Sequence, residues 1–432
     1  MKTSLLILLG VLLLTGVGAY VEHISHSSVD SADLPSKKRP LQLTEASSAS
    51  FLSKEQQVMM NDPAIHQAWG LKKSDAARAW EVSQGSRNVI VAVIDTGIDK
   101  NHEDLSGNLW RNPGESGLDD MGRNKASNGK DDDGNGFVDD VSGWNFVANN
   151  SDLTDNHGHG THIAGIIGAE AGNGKGIAGI APQVSLMVLK YYDPKVPGTD
   201  NLKNTVNAIK YAVKMKAQII NYSGGGTEFS KDEYEAIEEA RKQGVLFVAA
   251  AGNERSNSDK NKYYPADYGL SNIISVTAID PSTEVLSSSN YGVETVDIAA
   301  PGQNILSTLP NNAYGYMTGT SQATAFATGA AVLAMAHKGL TLGEDVKKFI
   351  LRTGDANQSL LAKCRTSKQL NLFKVLTVKD SDEGASGVVA ANTTDLHQKF
   401  TVDSNSQTQR GISGFGKDLM QTLEHKSLSK KN

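Results

Sequence analysis

The chain has 432 residues, 39% of them hydrophobic and 21% charged, with a net charge of −6 at pH 7. That length holds two average domains or one large α/β domain with extensions, and enough apolar residues to bury a sizeable core. The charge is mild and no long basic block is present, which excludes nucleic acid as an expected partner, and the one cysteine, Cys364, cannot close an internal disulfide.

Residues 1–19 join Lys2, an apolar run from Leu5 to Leu14 and a small-residue end at Gly18 and Ala19. This order predicts a secretory signal peptide, so the protein is expected to be exported, either secreted or periplasmic. A membrane anchor is the alternative; the run is short for a spanning helix and no basic stop-transfer cluster follows, so no stable span is expected after signal removal. Residues 20–54 are Ser-rich and charged without a period, which suits a pro-segment or linker.

From 55 to 378, apolar runs alternate with amphipathic stretches. Strands are predicted at Val89–Ile94, Val184–Leu189, Ile219–Tyr222, Val245–Ala250 and Ile273–Val276. Helices are predicted at Leu202–Met215, with Leu202, Val206, Ile209 and Val213 on the inner face, and at Asp232–Gln243. Strand, helix and strand in repetition predict an α/β fold with a doubly wound, mostly parallel sheet and helices on both faces. Residues 379–432 turn polar again and read as a disordered or cleavable tail.

Three segments of this domain carry the members of a nucleophilic relay, in the order Asp, His, Ser. Asp95 follows Val-Ala-Val-Ile, where a buried strand meets a turn that Gly97 permits, and a carboxylate there can orient an imidazole. His159 lies in Asp-Asn-His-Gly-His-Gly-Thr-His, whose small residues let a helix begin close to its neighbours. Ser321 follows Gly319-Thr320 and opens an Ala-rich helix, whose oriented N–H groups can stabilise a developing oxyanion. Ala249-Ala250-Ala251-Gly252-Asn253 ends a strand with tiny side chains and an amide that can donate to the same oxyanion. Taken singly, these residues also serve as turn Asp, helix N-cap and turn Asn. A competing reading takes His157, His159 and His162 as the His-x-His-x-Asp-His pattern of a zinc hydrolase; Thr161 stands where that pattern needs Asp.

These segments together resemble the subtilisin family of serine peptidases, over roughly Asn61 to Val378. The resemblance implies a serine-type endopeptidase with Asp95, His159 and Ser321 as triad, and Asn253 with the Ser321 N–H as oxyanion hole. It implies protein or peptide substrates, a monomer and a zymogen. By the same resemblance Ser223, Gly224, Gly225, Ala250, Gly252 and Tyr263 line the substrate site, with Tyr263 limiting a neutral pocket for apolar residues of modest size. Tyr264-Pro265 is expected to be cis. This chain has Ala325 where the family has Pro, so a straighter helix is expected after Ser321. Because Gln322, Ala323, Thr324 and Ala325 alter that flank, a catalytically silent binding homologue is the second competing reading.

Calcium is the expected cofactor. By resemblance to the thermitase-like branch, Asp62, Asp104 and Asn173 form one site. A second candidate is the insertion from Asp131 to Asp140, where Asp131, Asp133 and Asn135 occupy alternate places, as in the first half of an EF-hand loop. Its twelfth position is Ser142 rather than Glu, and a solvated acidic turn is the alternative.

Overall fold

The central strands form one mostly parallel sheet because their runs are apolar on both faces, the pattern of strands covered by helices on either side. The computed structural model describes residues 61–379; the expected signal peptide, the segment at 20–54 and all but the first residue of the polar tail lie outside them. Two short helices, α1 (Trp69–Lys73) and α2 (Ala76–Trp80), precede β1 (Gly85–Asp95). A long loop leads to β2 (Gly143–Asn145), followed by α3 (His159–Gly168), β3 (Gln183–Lys190), α4 (Asn201–Lys214), β4 (Ile219–Tyr222), α5 (Lys231–Lys242) and β5 (Leu246–Ala250). Then come β6 (Ile273–Ile279), β7 (Ile298–Pro301), the hairpin β8 (Ile305–Leu309) and β9 (Ala313–Met317), and the long helix α6 (Thr320–Lys338). The described part closes with α7 (Gly343–Thr353), β10 (Asp355–Ala356), β11 (Lys368–Gln369) and α8 (Leu372–Thr377).

The main sheet runs β10-β11-β7-β6-β5-β4-β1-β3-β2, and β10 with β11 is its one antiparallel pair. β1 pairs with β3 on one side and β4 on the other, so the winding reverses at β1 and opens a crevice beyond its carboxyl end. Alternation along β1 serves both layers: Val91 and Val93 pack with Phe326 and Leu333 of α6, whereas Ala92 and Ile94 pack with Val206 and Ile209 of α4 and Ile237 of α5. α6 is buried from Thr320 to Met335 and runs uninterrupted through Ala325, as the absence of Pro leads one to expect. Cys364 is buried, a small hydrophobe in the core.

The expected inner face of α4 holds at Val206 and Ile209, but Leu202 is 48% exposed. It lies one residue inside the helix start, before the helix has closed on the sheet, and Thr205, Ala208, Tyr211 and Ala212 complete the buried stripe instead. Tyr264-Pro265 is cis, as expected.

On α5, Ser230 caps the helix by accepting from the Glu233 N–H at 3.3 Å, while the Glu233 side chain is buried and accepts from the Tyr268 hydroxyl at 2.7 Å. Burial pushes the Glu233 carboxyl up from 4.5 to about 7, against the lowering effect of Tyr268. Between those two values the folded chain holds a proton that the unfolded chain has released, so stability falls as pH rises through this window. The expected slope reaches about 1.4 kcal/mol per pH unit for this group. Urea unfolding of Glu233→Gln at pH 5, 6 and 7 is expected to lose that component of the slope; an unchanged slope contradicts the assignment.

Candidate active site

Asp95 ends β1 and is 2% exposed; its Oδ1 lies 2.8 Å from His159 Nδ1, at the first residue of α3. Two glycines make that approach possible. Gly97 has φ +111°, and a Cβ there would stand 2.4 Å from the Leu153 carbonyl oxygen. A Cβ on Gly160 would stand 2.1 Å from the Gly97 carbonyl oxygen, so only a glycine lets the start of α3 rest on the turn after Asp95.

Asp155 organises the same junction and was not singled out in the sequence. Its Oδ1 accepts from the backbone N–H of His157 (3.0 Å) and Gly158 (2.7 Å), and its Oδ2 from the N–H (2.9 Å) and hydroxyl (2.7 Å) of Thr161. The Thr96 hydroxyl donates to Asp155 Oδ1 at 2.8 Å and accepts from the Gly160 N–H at 2.9 Å, which joins the turn after Asp95 to the start of α3. Behind them, buried Lys190 donates to the Thr154 carbonyl and pairs with Asp193 at 2.7 Å, clamping the approach to His159. The available signal for Asp155 was an acidic residue placed just before a helix start, the usual place of a capping carboxylate.

Ser321 lies in the first turn of α6, and its hydroxyl donates to the Ser223 carbonyl at 3.2 Å, just past the end of β4. The Asn253 side-chain oxygen accepts from the Thr320 N–H at 3.0 Å, which fixes the amide and makes its nitrogen the donating end. Buried Asn290 holds the loop that bears Asn253: its oxygen accepts from the N–H of Glu254 and of Ser256 at 3.0 Å each, and its nitrogen donates to the Ala251 carbonyl at 2.9 Å. No local pattern marks Asn290, which is brought here from the segment after β6.

The predicted substrate-site residues gather at the ends of β4 and β5. Gly226 and Tyr264 exchange backbone hydrogen bonds at 2.8 and 2.7 Å, which lays 224–226 beside the Tyr263 segment. A Cβ on Gly225 would stand 2.6 Å from the Tyr263 ring and one on Gly252 3.0 Å from it, so this buried ring occupies the space the two glycines leave. Ala250 is buried at the end of β5. Both nearby carboxylates are engaged by the scaffold: Asp267 accepts from the Tyr263 N–H at 2.8 Å, and Glu254 from Asn290 at 2.8 Å.

The three histidines do not form a metal cluster. His162 Nε2 faces the carbonyls of Ile305 (3.0 Å) and Gly315 (3.1 Å), tying α3 to the β8–β9 hairpin, while His159 faces Asp95. Among the described residues, the one group of three or more acidic, His or Cys side chains with ligand atoms close enough for an ion is Glu115, Asp131 and Asp133. Asp62 and Asp104 are buried near each other: Asp62 accepts from the N–H of Gly172 (2.8 Å) and Gly174 (3.0 Å), and Asp104 from the Asn173 amide (2.9 Å) and the Ile177 N–H (3.0 Å). Burial, and less strongly the charge of Asp104, pushes the Asp62 carboxyl above its usual range. Two expected oxygen donors point otherwise than predicted. Asn173 turns its nitrogen to Asp104, and Asn135 turns its nitrogen to Asp133 and Asp140, because their oxygens accept from the N–H of Lys175 and Phe137.

The subtilase family model matches residues 86–401. This chain belongs to the subtilase family. It is 37% identical over 271 residues to the major intracellular serine protease of Bacillus subtilis (strain 168), covering 62% of this chain and 75% of that protein. It is 35% identical over 296 residues to thermitase of Thermoactinomyces vulgaris, covering 68% of this chain and 91% of that protein. A solved protease structure from Pseudoalteromonas arctica superposes with a TM-score of 0.59 at 24% identity, over 73% of this chain and 98% of that one, and shares the fold. The subtilase is a serine-type peptidase, and no single helix among its described residues is long and apolar enough to cross a membrane.

Because Asp155 satisfies three backbone N–H groups and two hydroxyls in a buried junction, Asp155→Ala is expected to destabilise the fold by about 2–4 kcal/mol in urea unfolding. A loss below about 0.5 kcal/mol contradicts its capping role.

Proposed function

We propose that the chain is an exported serine endopeptidase that works through Asp95, His159 and Ser321. The observation that supports this most is the 2.8 Å bond from Asp95 to His159 Nδ1 in a buried junction, which directs the opposite ring nitrogen away from the carboxylate. The Ser321 hydroxyl turns from the Ser223 carbonyl to His159 Nε2, passes its proton there and attacks the peptide carbonyl carbon. Asp95 keeps the imidazole in the correct tautomer and stabilises the imidazolium without itself taking the proton. The oxyanion accepts from Asn253 Nδ2 and the Ser321 N–H. His159 then protonates the leaving amine, and water, deprotonated by His159, hydrolyses the acyl-enzyme.

The substrates are peptides with an apolar residue of modest size before the scissile bond, since the Tyr263 ring fills space beside Gly225 and Gly252 and the nearby carboxylates are engaged. Export rests on the apolar run from Leu5 to Leu14. Asp62 and Asp104 are the residues that hold structural calcium. Two buried carboxylates this close repel, and a cation with hard oxygen ligands offsets that repulsion and ties 61–62 to the loop at 172–174.

Ser321→Ala is expected to abolish peptide hydrolysis, with a loss near ~10⁶ in kcat, the magnitude known from subtilisin itself. A fluorophosphonate is expected to label the unaltered chain at Ser321 and to leave the variant unlabelled. Substantial turnover by purified Ser321→Ala contradicts the reading, and an unaltered chain that resists the label favours a silent homologue.

A further inference from the structure

Of the four residues that alter the flank after Ser321, three are taken up by the body of α6. Ala323 and Ala325 join the larger hydrophobic cluster, and the Thr324 hydroxyl donates to the Thr320 carbonyl at 2.8 Å. Gln322 is buried as well, 2% exposed, yet among the described residues no hydrogen bond holds its amide. It stands third in α6, after the N-cap Gly319, and from that position a Gln side chain ordinarily turns back to the N–H of the N-cap residue. Here that donor is taken: the Gly319 N–H donates to the Gly302 carbonyl at 2.9 Å, and the next one, the Thr320 N–H, donates to Asn253 Oδ1 at 3.0 Å. The Gln322 side chain turns back all the same. A Cβ on Gly319 would stand 3.3 Å from Gln322 Oε1 and 3.5 Å from Asn253 Nδ2, so the two amides border one space that Gly319 leaves open beside Ser321.

We propose that Gln322 is a third donor to the oxyanion, beside Asn253 Nδ2 and the Ser321 N–H. The inference rests on the catalytic reading given above. When Ser321 Oγ bonds to the peptide carbonyl carbon, the π pair of the C=O moves onto its oxygen, and that oxygen accepts from Asn253 Nδ2. The same nitrogen borders the space to which Gln322 turns. The terminal torsion of Gln is broad and two-fold, so one rotation exchanges the amide oxygen and nitrogen. In the resting chain Oε1 is the end turned to this space, beside a donating nitrogen; a negative oxygen there favours Nε2 instead. Burial strengthens the new hydrogen bond, and little side-chain freedom is left to lose because Gln322 is already enclosed before substrate binds. The altered flank is then a change within the catalytic machinery rather than a sign of its loss.

The test is steady-state kinetics of the full chain on a peptide substrate with Gln322→Met and Gln322→Glu, together with inhibition by a peptide aldehyde and by the peptide alcohol of the same sequence. Met matches Gln in length without a donor, and Glu keeps the shape but puts an anionic oxygen in place of Nε2. The aldehyde is attacked by Ser321 and presents a tetrahedral oxygen to the oxyanion hole; the alcohol offers the same side chains without it. Gln322→Met is expected to lose about 10- to 100-fold in kcat with KM within about threefold, to lose aldehyde affinity by a similar factor and to keep its alcohol affinity. Gln322→Glu is expected to lose more kcat, again with alcohol affinity kept, and it decides alone if Gln322→Met does not fold. Variants whose kcat and aldehyde affinity stay within about twofold of the unaltered chain overturn the proposal. So does a parallel loss of aldehyde and alcohol affinity, which marks a disturbed cleft rather than a lost donor. An unaltered chain that neither hydrolyses peptide nor takes a fluorophosphonate overturns the catalytic reading and the third donor with it, whereas an active chain with undiminished variants overturns the third donor alone.

Discussion

The hydrogen bond between Asp95 and His159 is buried, and most of the surrounding structure can be understood as what is needed to make it. A carboxylate and an imidazole at this depth interact strongly, but only where their separation and ring orientation are fixed. The carboxylate comes from the end of a central strand and the imidazole from the start of a helix 64 residues later. Gly97 and Gly160 remove the side chains that would keep the two backbones apart, and Asp155 ties the start of α3 to the Thr96 hydroxyl. The Asp95–His159 contact is thus held by backbone packing and a second carboxylate rather than by the pair alone.

The position of that pair follows from sheet topology. Reversal of the winding at β1 leaves a crevice beyond the carboxyl ends of β1, β4 and β5, and each end contributes a part: Asp95, Ser223 and the loop to Asn253. Ser321 is carried into this crevice by α6, a helix almost wholly buried in the larger core. A helix so enclosed cannot shift without opening cavities, so Ser321 is placed by the same apolar contacts that stabilise the domain. The long insertion before α3 lies at the far edge of the sheet, where β2 joins β3, and it is anchored by polar contacts to α4.

Much of this was legible in the sequence because the signals were local. The strands at Val89, Val184, Ile219, Val245 and Ile273 are short apolar runs bounded by turns, and each matches the start of an observed strand to within one residue except the first, where β1 begins four residues earlier at Gly85. Asp95, His159, Ser321 and Asn253 sit in small-residue contexts that glycine and alanine make visible in one dimension. The parts that were missed act across the chain. Asn290 supports Asn253 from a segment 37 residues later, and Glu115 meets Asp131 and Asp133 only because Gly114 allows the contact. The hairpin β8–β9 carries polar and exposed residues without a clean alternation, yet it is fixed by His162 and by the Ser307 and Thr308 hydroxyls donating to the carbonyls of His162 and Thr161. Leu202 went wrong for the opposite reason: a helical period extended to a first turn that does not reach the sheet.

The claim that Asp95, His159 and Ser321 act as one unit is tested most directly by a double-mutant cycle in kcat/KM on a peptide substrate, using Asp95→Ala, Ser321→Ala and the pair. Groups that work through a single proton relay are grossly non-additive, so the second substitution is expected to cost little once Ser321 is gone. Losses that multiply across the cycle would mean that Asp95 and Ser321 contribute independently, and would contradict the account.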